Sequence, residues 1–103
     1  MPVEPMEVIA EREFDLAHGD RRQAVLLRVG KPFADPEPGG DWACPIQLVG
    51  LDDDAVQLAY GVDSLQALLL AIQMAKVRLE YGAPSGGTIS WLDDEDLGLT
   101  FGP

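Results

Sequence analysis

The sequence is poor in the residues from which catalytic and exported proteins are usually built. Its 103 residues include one cysteine, Cys44, and one histidine, His18. A single cysteine cannot form an intrachain disulfide, and small secreted domains often depend on such bridges, so we expect a reducing cytoplasm. Nucleophilic catalysis needs a base beside the nucleophile, and His18 is far in the sequence from both Cys44 and Ser64. The sequence therefore predicts no catalytic residue and no cofactor.

Long apolar runs and basic residues are also scarce. The longest apolar run, residues 67–72, is far shorter than the roughly 20 residues of a membrane-spanning helix. The amino terminus lacks the basic start and the apolar stretch of a signal peptide. Seven Lys and Arg against 18 Asp and Glu give a net charge of −11, which repels nucleic-acid phosphates and anionic membranes. We therefore expect a soluble, cytoplasmic protein with neither nucleic acid nor membrane as a partner.

What is present is the composition of an ordinary globular domain. Hydrophobic residues make up 47% of the chain and charged residues 24%. This composition and the length suit one folded domain better than two, so we expect a single domain over residues 1–103 with a disordered start at residues 1–5. A flexible loop is predicted at residues 31–41, where prolines and glycines cluster at Pro32, Pro36, Pro38, Gly39 and Gly40.

Alternation of apolar and polar residues predicts strands along most of the chain. The first four strands form two hairpins, and Pro45 places the third at an edge or a bulge. The six predicted strands span residues 6–16, 23–29, 42–49, 56–62, 88–92 and 97–101. The residues predicted to face inward are Trp42, Cys44, Ile46 and Leu48 on the third strand, and Val56, Leu58, Tyr60 and Val62 on the fourth.

Between the fourth and fifth strands the period changes to about 3.6 residues, which predicts a helix over residues 64–81. Asp63 is its expected N-cap, and Gln66 stands at the third helical position, as in a capping box. Gly82, with Pro84 beyond it, ends the helix. The apolar positions expected to face the sheet are Leu65, Leu68, Leu69, Ile72, Ala75 and Leu79.

These elements predict an α+β fold of order β-β-β-β-α-β, in which a long helix packs on one face of an antiparallel meander of four to six strands. One helix covers one face only. The opposite face is more apolar than a solvated surface usually is, which favours self-association as a homodimer. The residues predicted on that face are Ile9, Ala24, Leu26, Ala43, Val49, Ala55 and Ala59.

Acidity is the most suggestive property of the chain. No Lys or Arg follows Arg78, so the last quarter should present a negative surface that speeds association with a basic protein. The simpler alternative is that this charge only keeps the protein soluble. The acidic turns at residues 52–54 and 93–96 lack the spacing of an EF-hand, so no metal site is predicted. The residues expected to contact a basic partner are Asp93, Asp94, Glu95 and Asp96.

A second hypothesis is a pocket between the 31–41 loop and the start of the helix, which would hold a small ligand or the substrate of an enzyme. Its expected lining residues are Trp42, Asp63, Gln66 and His18. Asp63-Ser64-Leu65 also resembles the motif that carries the pantetheine arm of acyl carrier proteins. Those proteins are helical bundles, however, and a helix start accounts for the motif in this chain.

Three functions therefore stay open at this point. The first is a non-enzymatic protein-binding or accessory factor, such as an immunity-type protein. The second is a small-ligand binder or enzyme, and the third is a homodimeric structural subunit.

A scattered set of motifs covers roughly residues 11–101. It consists of Trp42-x-Cys44, the run G-V-D-S-L-Q-A-L from Gly61, then Trp91-Leu92 and Leu97-Gly98. This pattern resembles a family of small bacterial proteins known only as a domain of unknown function. The motifs fall at a strand core, a helix cap and the last turn, which the fold itself requires. The resemblance implies a bacterial origin and a cytoplasmic location, and it transfers no catalytic residue.

Overall fold

A computed structural model describes residues 6–35 and 41–99 of the chain. The predicted disordered start at residues 1–5, residues 36–40 of the predicted flexible loop and residues 100–101 of the last predicted strand lie outside the described residues. The elements in chain order are β1 (Val8–His18), β2 (Arg21–Gly30), β3 (Phe33–Ala34), β4 (Trp42–Val49), β5 (Gln57–Gly61), α1 (Ser64–Tyr81) and β6 (Thr88–Ser90).

One antiparallel sheet contains all six strands. β1 and β2 form a long hairpin, β6 pairs with the other side of β1, and β2 pairs with β4. Trp42 and Ile46 of β4 each have two partners, with β5 on one side and with β3 or β2 on the other. Among the described strands, β3, β5 and β6 each pair with a single neighbour, and β5 and β6 lie on opposite sides of the sheet. With α1 packed on one face, the structure confirms the predicted α+β fold.

Pro45 lies inside the sheet, so the prediction of an edge strand is wrong. It pairs with Leu58 on the β5 side. On the other side it falls between the stretch of β4 that pairs with β3 and the stretch that pairs with β2. Proline has no backbone N–H to donate to a ladder. In β4 the missing donor stands where the partner strand changes from β3 to β2. The predicted loop is also shorter than expected, because Phe33 and Ala34 form β3 against β4.

The helix begins and ends where the sequence predicts. Oδ1 of Asp63 accepts a hydrogen bond from the backbone N–H of Gln66 at 2.7 Å, and Oε1 of Gln66 accepts one from the N–H of Val62 at 2.7 Å. At the other end, the N–H of Gly82 donates to the carbonyl of Arg78 at 2.7 Å. Within the described part of the chain, no helix combines the length and the apolar character that crossing a membrane requires.

The core lies between the sheet and α1. It confirms the predicted inward face of β4, because Cys44, Ile46 and Leu48 are buried in the core and Trp42 packs against it. The strands contribute Phe14, Leu16, Val25, Leu27, Val29, Cys44, Ile46, Leu48, Ala59 and Ile89 to this core, and Leu97 follows the last strand.

The helix packs on the sheet through small residues. The side chains that α1 buries recur every four positions: Ala67, Ala71, Ala75 and Leu79. The prediction that leucines face the sheet is wrong for Leu65 and Leu69, which are 61% and 43% exposed. Small residues let the two layers come close together, and a Cβ added to Gly61 would lie 2.5 Å from the backbone nitrogen of Ala67. The close approach through alanine leaves these leucines on the outside of the helix.

Strand β5, the fourth strand of the prediction, buries the opposite face from the one expected. Cys44 pairs with Ala59, and Ala59 is buried in the core under α1. Leu58 and Tyr60 therefore lie on the opposite side of the strand and are exposed. Periodicity shows that residues alternate, but it does not show which half faces the core when both halves are apolar. The inward prediction is wrong for Leu58 and Tyr60 and for Val62, which follows the strand and is 76% exposed, whereas Val56 precedes the strand and is half-buried.

The uncovered face of the sheet is more charged than predicted. Glu13 of β1 stands across from Leu26 of β2, and Glu11 forms an ion pair with Arg28 at 3.2 Å. These charges interrupt the apolar surface that the sequence suggested for self-association. Two predicted members of that face lie elsewhere, Ala59 under the helix and Ala55 before the start of β5.

The last part of the chain contains less strand than predicted. The strand expected at residues 88–92 is β6, Thr88–Ser90. Residues 97–99, which belong to the other predicted strand, do not form a strand. Trp91 instead forms an isolated bridge with Asp94. Leu92 and Asp93 have φ angles of 53° and 64°, which a strand cannot accommodate. The acidic segment is therefore a tight turn.

Candidate interaction surface

The acidic turn uses two of its four carboxylates to hold its own shape. Oδ1 of Asp94 accepts a hydrogen bond from the N–H of Asp96 at 2.9 Å, and Oδ1 of Asp96 accepts one from the N–H of Gly98 at 2.9 Å. These contacts are Asx turns, in which a short carboxylate replaces a backbone acceptor. Asp93 and Glu95 are exposed on the same turn. The acidic turn is thus a shaped loop that presents two further carboxylates to solvent.

Arg12 fastens this turn to the sheet, and sequence reasoning missed it. Its guanidinium lies 3.6 Å from the centroid of the Trp91 ring. Nη1 of Arg12 donates to the carbonyls of Leu97 at 2.9 Å and Gly98 at 3.2 Å. The only available signal was an arginine on the inward half of an otherwise apolar strand face. That signal does not identify partners more than 75 positions along the chain.

The structure does not bring all four predicted pocket residues together. Trp42 pairs with Gly61 beside the helix start, where Asp63 and Gln66 also lie and are engaged in the N-cap. His18 lies at the other end of the helix, with Nε2 2.9 Å from the carbonyl oxygen of Ser85. An 18-residue helix is about 27 Å long. His18 instead lines a separate cavity of about 260 Å³ with Arg21, Gln23, Leu51, Gly82 and Pro84.

Cys44 is a buried thiol in the core. Its Sγ donates to the carbonyl of Gly30 at 3.4 Å. Burial raises the pKa of the thiol from 9.0 to about 11. At neutral pH the group is protonated, so it packs as a small apolar side chain, as its place among inward residues predicts.

The other acidic turn, at residues 52–54, is also engaged in local structure. Asp52 accepts a hydrogen bond from Nη2 of Arg78 at 2.6 Å, and this contact holds the pKa of the carboxyl below its ordinary value. Oδ1 of Asp53 accepts from the N–H of Ala55, and Oδ1 of Asp54 accepts from the N–H of Gly50. In the part of the chain that the structure describes, no three His, Cys, Asp or Glu side chains converge on a common point.

An open apolar groove runs along β5 and α1. It has a volume of about 600 Å³. Tyr60, Leu70 and Val77 are 49%, 39% and 47% exposed in it, although they are large apolar side chains. We call this region the β5–α1 surface and define it by Leu58, Tyr60, Leu70, Met74 and Val77, which line the groove.

The β5–α1 surface is almost without charge on a protein whose net charge is −11. Neither Gln57–Gly61 of β5 nor residues 64–75 of α1 include Asp, Glu, Lys or Arg. Arg78, at one end of the groove, donates to Oε1 of Gln57 at 2.9 Å and to Asp52. The β5–α1 surface therefore differs from the rest of the protein in that it has no acidic side chain.

The outer edge of β5 has none of the features that normally protect an edge strand. Edge strands are usually guarded by proline, by charged residues or by bulges. No described residue pairs with the outer edge of β5, whose sequence Gln-Leu-Ala-Tyr-Gly contains no such feature. The opposite edge, β6, is only three residues long. An accessible strand edge and an apolar groove therefore lie side by side.

Sequence reasoning missed this surface because it assigned the large residues to the core. Both halves of the fourth predicted strand are apolar, and so are several faces of the helix. In the structure Ala59 of β5 and three alanines of α1 are inside, whereas Tyr60 and Leu70 are outside. The one available signal was the length of the charge-free stretch from residue 55 to residue 75, which only Asp63 interrupts.

Comparison with known proteins gives a family without an assigned activity. Residues 10–101 match the model of a family described as a domain of unknown function, DUF6968. A search of curated proteins returned no match, and a search of solved structures returned none either.

Proposed function

We propose that this chain, which belongs to the DUF6968 family, is a protein-binding module whose partner occupies the β5–α1 surface. The observation that carries the proposal is the pairing of an unguarded strand edge with an uncharged apolar groove. An extended segment added to a sheet edge gains main-chain hydrogen bonds, and adjacent pockets receive its side chains.

The energetics of the groove support a binding role. Full burial of one large apolar side chain contributes roughly 1.5–3 kcal/mol relative to exposure. The β5–α1 surface leaves several such side chains partly in water, at a free-energy cost that a bound partner would remove. Contiguous apolar surface of this kind typically marks interaction sites in soluble proteins.

The test is a photo-crosslinking amino acid placed at position 70, inside the groove. Position 65 is the matched control, because Leu65 lies on the same helix, is exposed and does not line the groove. In the cells that produce the protein, irradiation should give a discrete adduct from position 70 and much less from position 65. Equal adduct from both positions, or none from either, would contradict the proposal.

The acidic turn supports a second contact of a different kind. Asp93 and Glu95 are exposed on a turn that Asp94 and Asp96 hold in shape. A fixed pair of carboxylates suits a basic protein, for which it would raise the association rate at low salt. This contact is separate from the groove and can be tested without disturbing it.

A further inference from the structure

We infer that the partner at the β5–α1 surface is a second copy of this chain, related by a two-fold axis that pairs β5 with the partner's β5 in antiparallel register. This inference rests on the proposed function and names its partner. A two-fold interface uses the same patch on both subunits, so that patch must be complementary to itself.

The strand is complementary to itself around its central residue, Ala59. With the axis at Ala59, Leu58 stands across from the partner's Tyr60, and Tyr60 stands across from the partner's Leu58. Aromatic and aliphatic side chains directly opposite each other stabilise antiparallel strands by roughly 0.2–1 kcal/mol per pair. Both positions lie on the same face of β5, and both are exposed in the single chain.

The helix is also placed for this arrangement. Arg78 near the end of α1 bonds to Gln57 at the start of β5, whereas the backbone of Gln66 and Ala67 approaches Gly61 at the end of β5. The helix and the strand therefore run in opposite directions. The two-fold axis would put both copies of α1 on one face of a continuous sheet, running antiparallel. Leu70, Met74 and Val77 of each copy would then face the same residues of the other.

The charge distribution allows a second copy to approach at this surface and gives a basic partner no counter-charge there. Two chains of net charge −11 repel each other over most of their surfaces, so they can approach closely only where acidic side chains are absent, as in the groove. A basic partner would find no counter-charge in the groove.

The first experiment is light scattering on the purified full chain over a concentration series. We expect a mass of about 22 kDa, twice the 11.1 kDa of one chain. The double variant Leu70→Glu/Val77→Glu puts charge into the groove at two exposed positions and should reduce the mass to about 11 kDa. Leu65→Glu, on the same helix outside the groove, should stay at the dimer mass. Circular dichroism of both variants checks that the helix remains folded.

A second experiment tests the strand register by disulfide trapping. A mixture of Leu58→Cys chains and Tyr60→Cys chains should oxidise to a cross-linked dimer faster than either variant does alone. The native Cys44 is buried and should not react. Cross-linking at equal rates in all three samples would overturn the register, even where the folded variants remain dimeric.

The outcomes separate this inference from the proposed function. A mass of about 11 kDa at every concentration, together with a position-70 adduct of some other mass, would overturn the homodimer and leave the binding function intact. A monomer with no adduct would overturn both. A dimer that persists in the folded Leu70→Glu/Val77→Glu variant would place the contact elsewhere and overturn the inference.

Discussion

The guanidinium of Arg12 stacks on the ring of Trp91 at 3.6 Å from its centroid, and the two residues lie on elements far apart in the sequence. Arg12 belongs to β1, whereas Trp91 follows β6 at the start of the acidic turn. The same guanidinium donates to the carbonyls of Leu97 and Gly98. One side chain therefore ties both ends of the turn to the sheet.

Replacing Arg12 by alanine should lower the free energy of unfolding by roughly 1–2 kcal/mol, because a cation–π contact and two charge-assisted hydrogen bonds are lost. Urea unfolding followed by circular dichroism measures the change. Arg12→Lys keeps the charge but not the planar fork, so it should recover only part of the loss. Arg22→Ala, at an exposed position on β2, is the matched control. An equal loss in both alanine variants would contradict this role.

The acidic turn should divide into two functional pairs. Asp94→Ala and Asp96→Ala remove the acceptors of two backbone N–H groups and should each lower the free energy of unfolding by about 1 kcal/mol. Asp93→Asn and Glu95→Gln should leave stability nearly unchanged. These two substitutions, Asp93→Asn and Glu95→Gln, should instead lower the rate of association with a basic partner at low salt, which stopped-flow or surface plasmon resonance measures. A loss of stability in Asp93→Asn and Glu95→Gln, with none in Asp94→Ala and Asp96→Ala, would contradict these hydrogen bonds as the support of the turn.

Removing the helix N-cap should destabilise the protein. Asp63→Ala should lower the free energy of unfolding by about 1 kcal/mol, because the N–H of Gln66 loses its acceptor. Asp63→Asn should retain most of the stability, since its side-chain oxygen can accept the same bond. Ser64→Ala, one residue further on, is the control and should have little effect. Thermal unfolding by circular dichroism distinguishes the three variants.

The ion pair of Asp52 with Arg78 should make stability depend on pH in the acid range. The hydrogen bond from Arg78 lowers the pKa of Asp52 below its ordinary value of 3.8. A lowered pKa contributes stability above pH 3.8, and that contribution is lost as the pH falls through the lower folded-state value. The effect is small because Asp52 is half exposed. The stability difference between wild type and Asp52→Asn should therefore shrink below pH 3.8 in urea titrations, and a constant difference would exclude the ion pair as its cause.

Cys44 should be unreactive in the folded protein. A pKa raised from 9.0 to about 11 reduces the thiolate fraction at pH 8 about 100-fold, and burial restricts access further. Reaction with a disulfide reagent at pH 8 should therefore be at least about 100-fold slower in the native chain than in urea. Comparable rates in the two states would mean that the core around Cys44 opens readily.

Local features of the chain were predictable from the sequence. The bounds of α1 follow from Asp63, Gln66 and Gly82, which interact with backbone only a few positions away. The β1–β2 hairpin follows from alternation around a turn at Gly19, whose φ of 63° suits glycine. The α+β class then follows from the order of these elements. These features depend on residues only a few positions apart, so they can be predicted without knowledge of the tertiary structure.

By itself, then, the sequence determined the α+β class, the bounds of the helix and the excess of negative charge. Tertiary structure decided which half of each apolar segment is buried, because that depends on how closely two layers approach. Alanines at positions 67, 71 and 75 let α1 lie close to the sheet, and this packing puts Tyr60 and Leu70 outside. The pairing of β6 with β1 likewise brings Arg12 to Trp91 across most of the chain. The β5–α1 surface exists for the same reason: where β5 and α1 meet, alanines face the core, and the large side chains beside them lie outside.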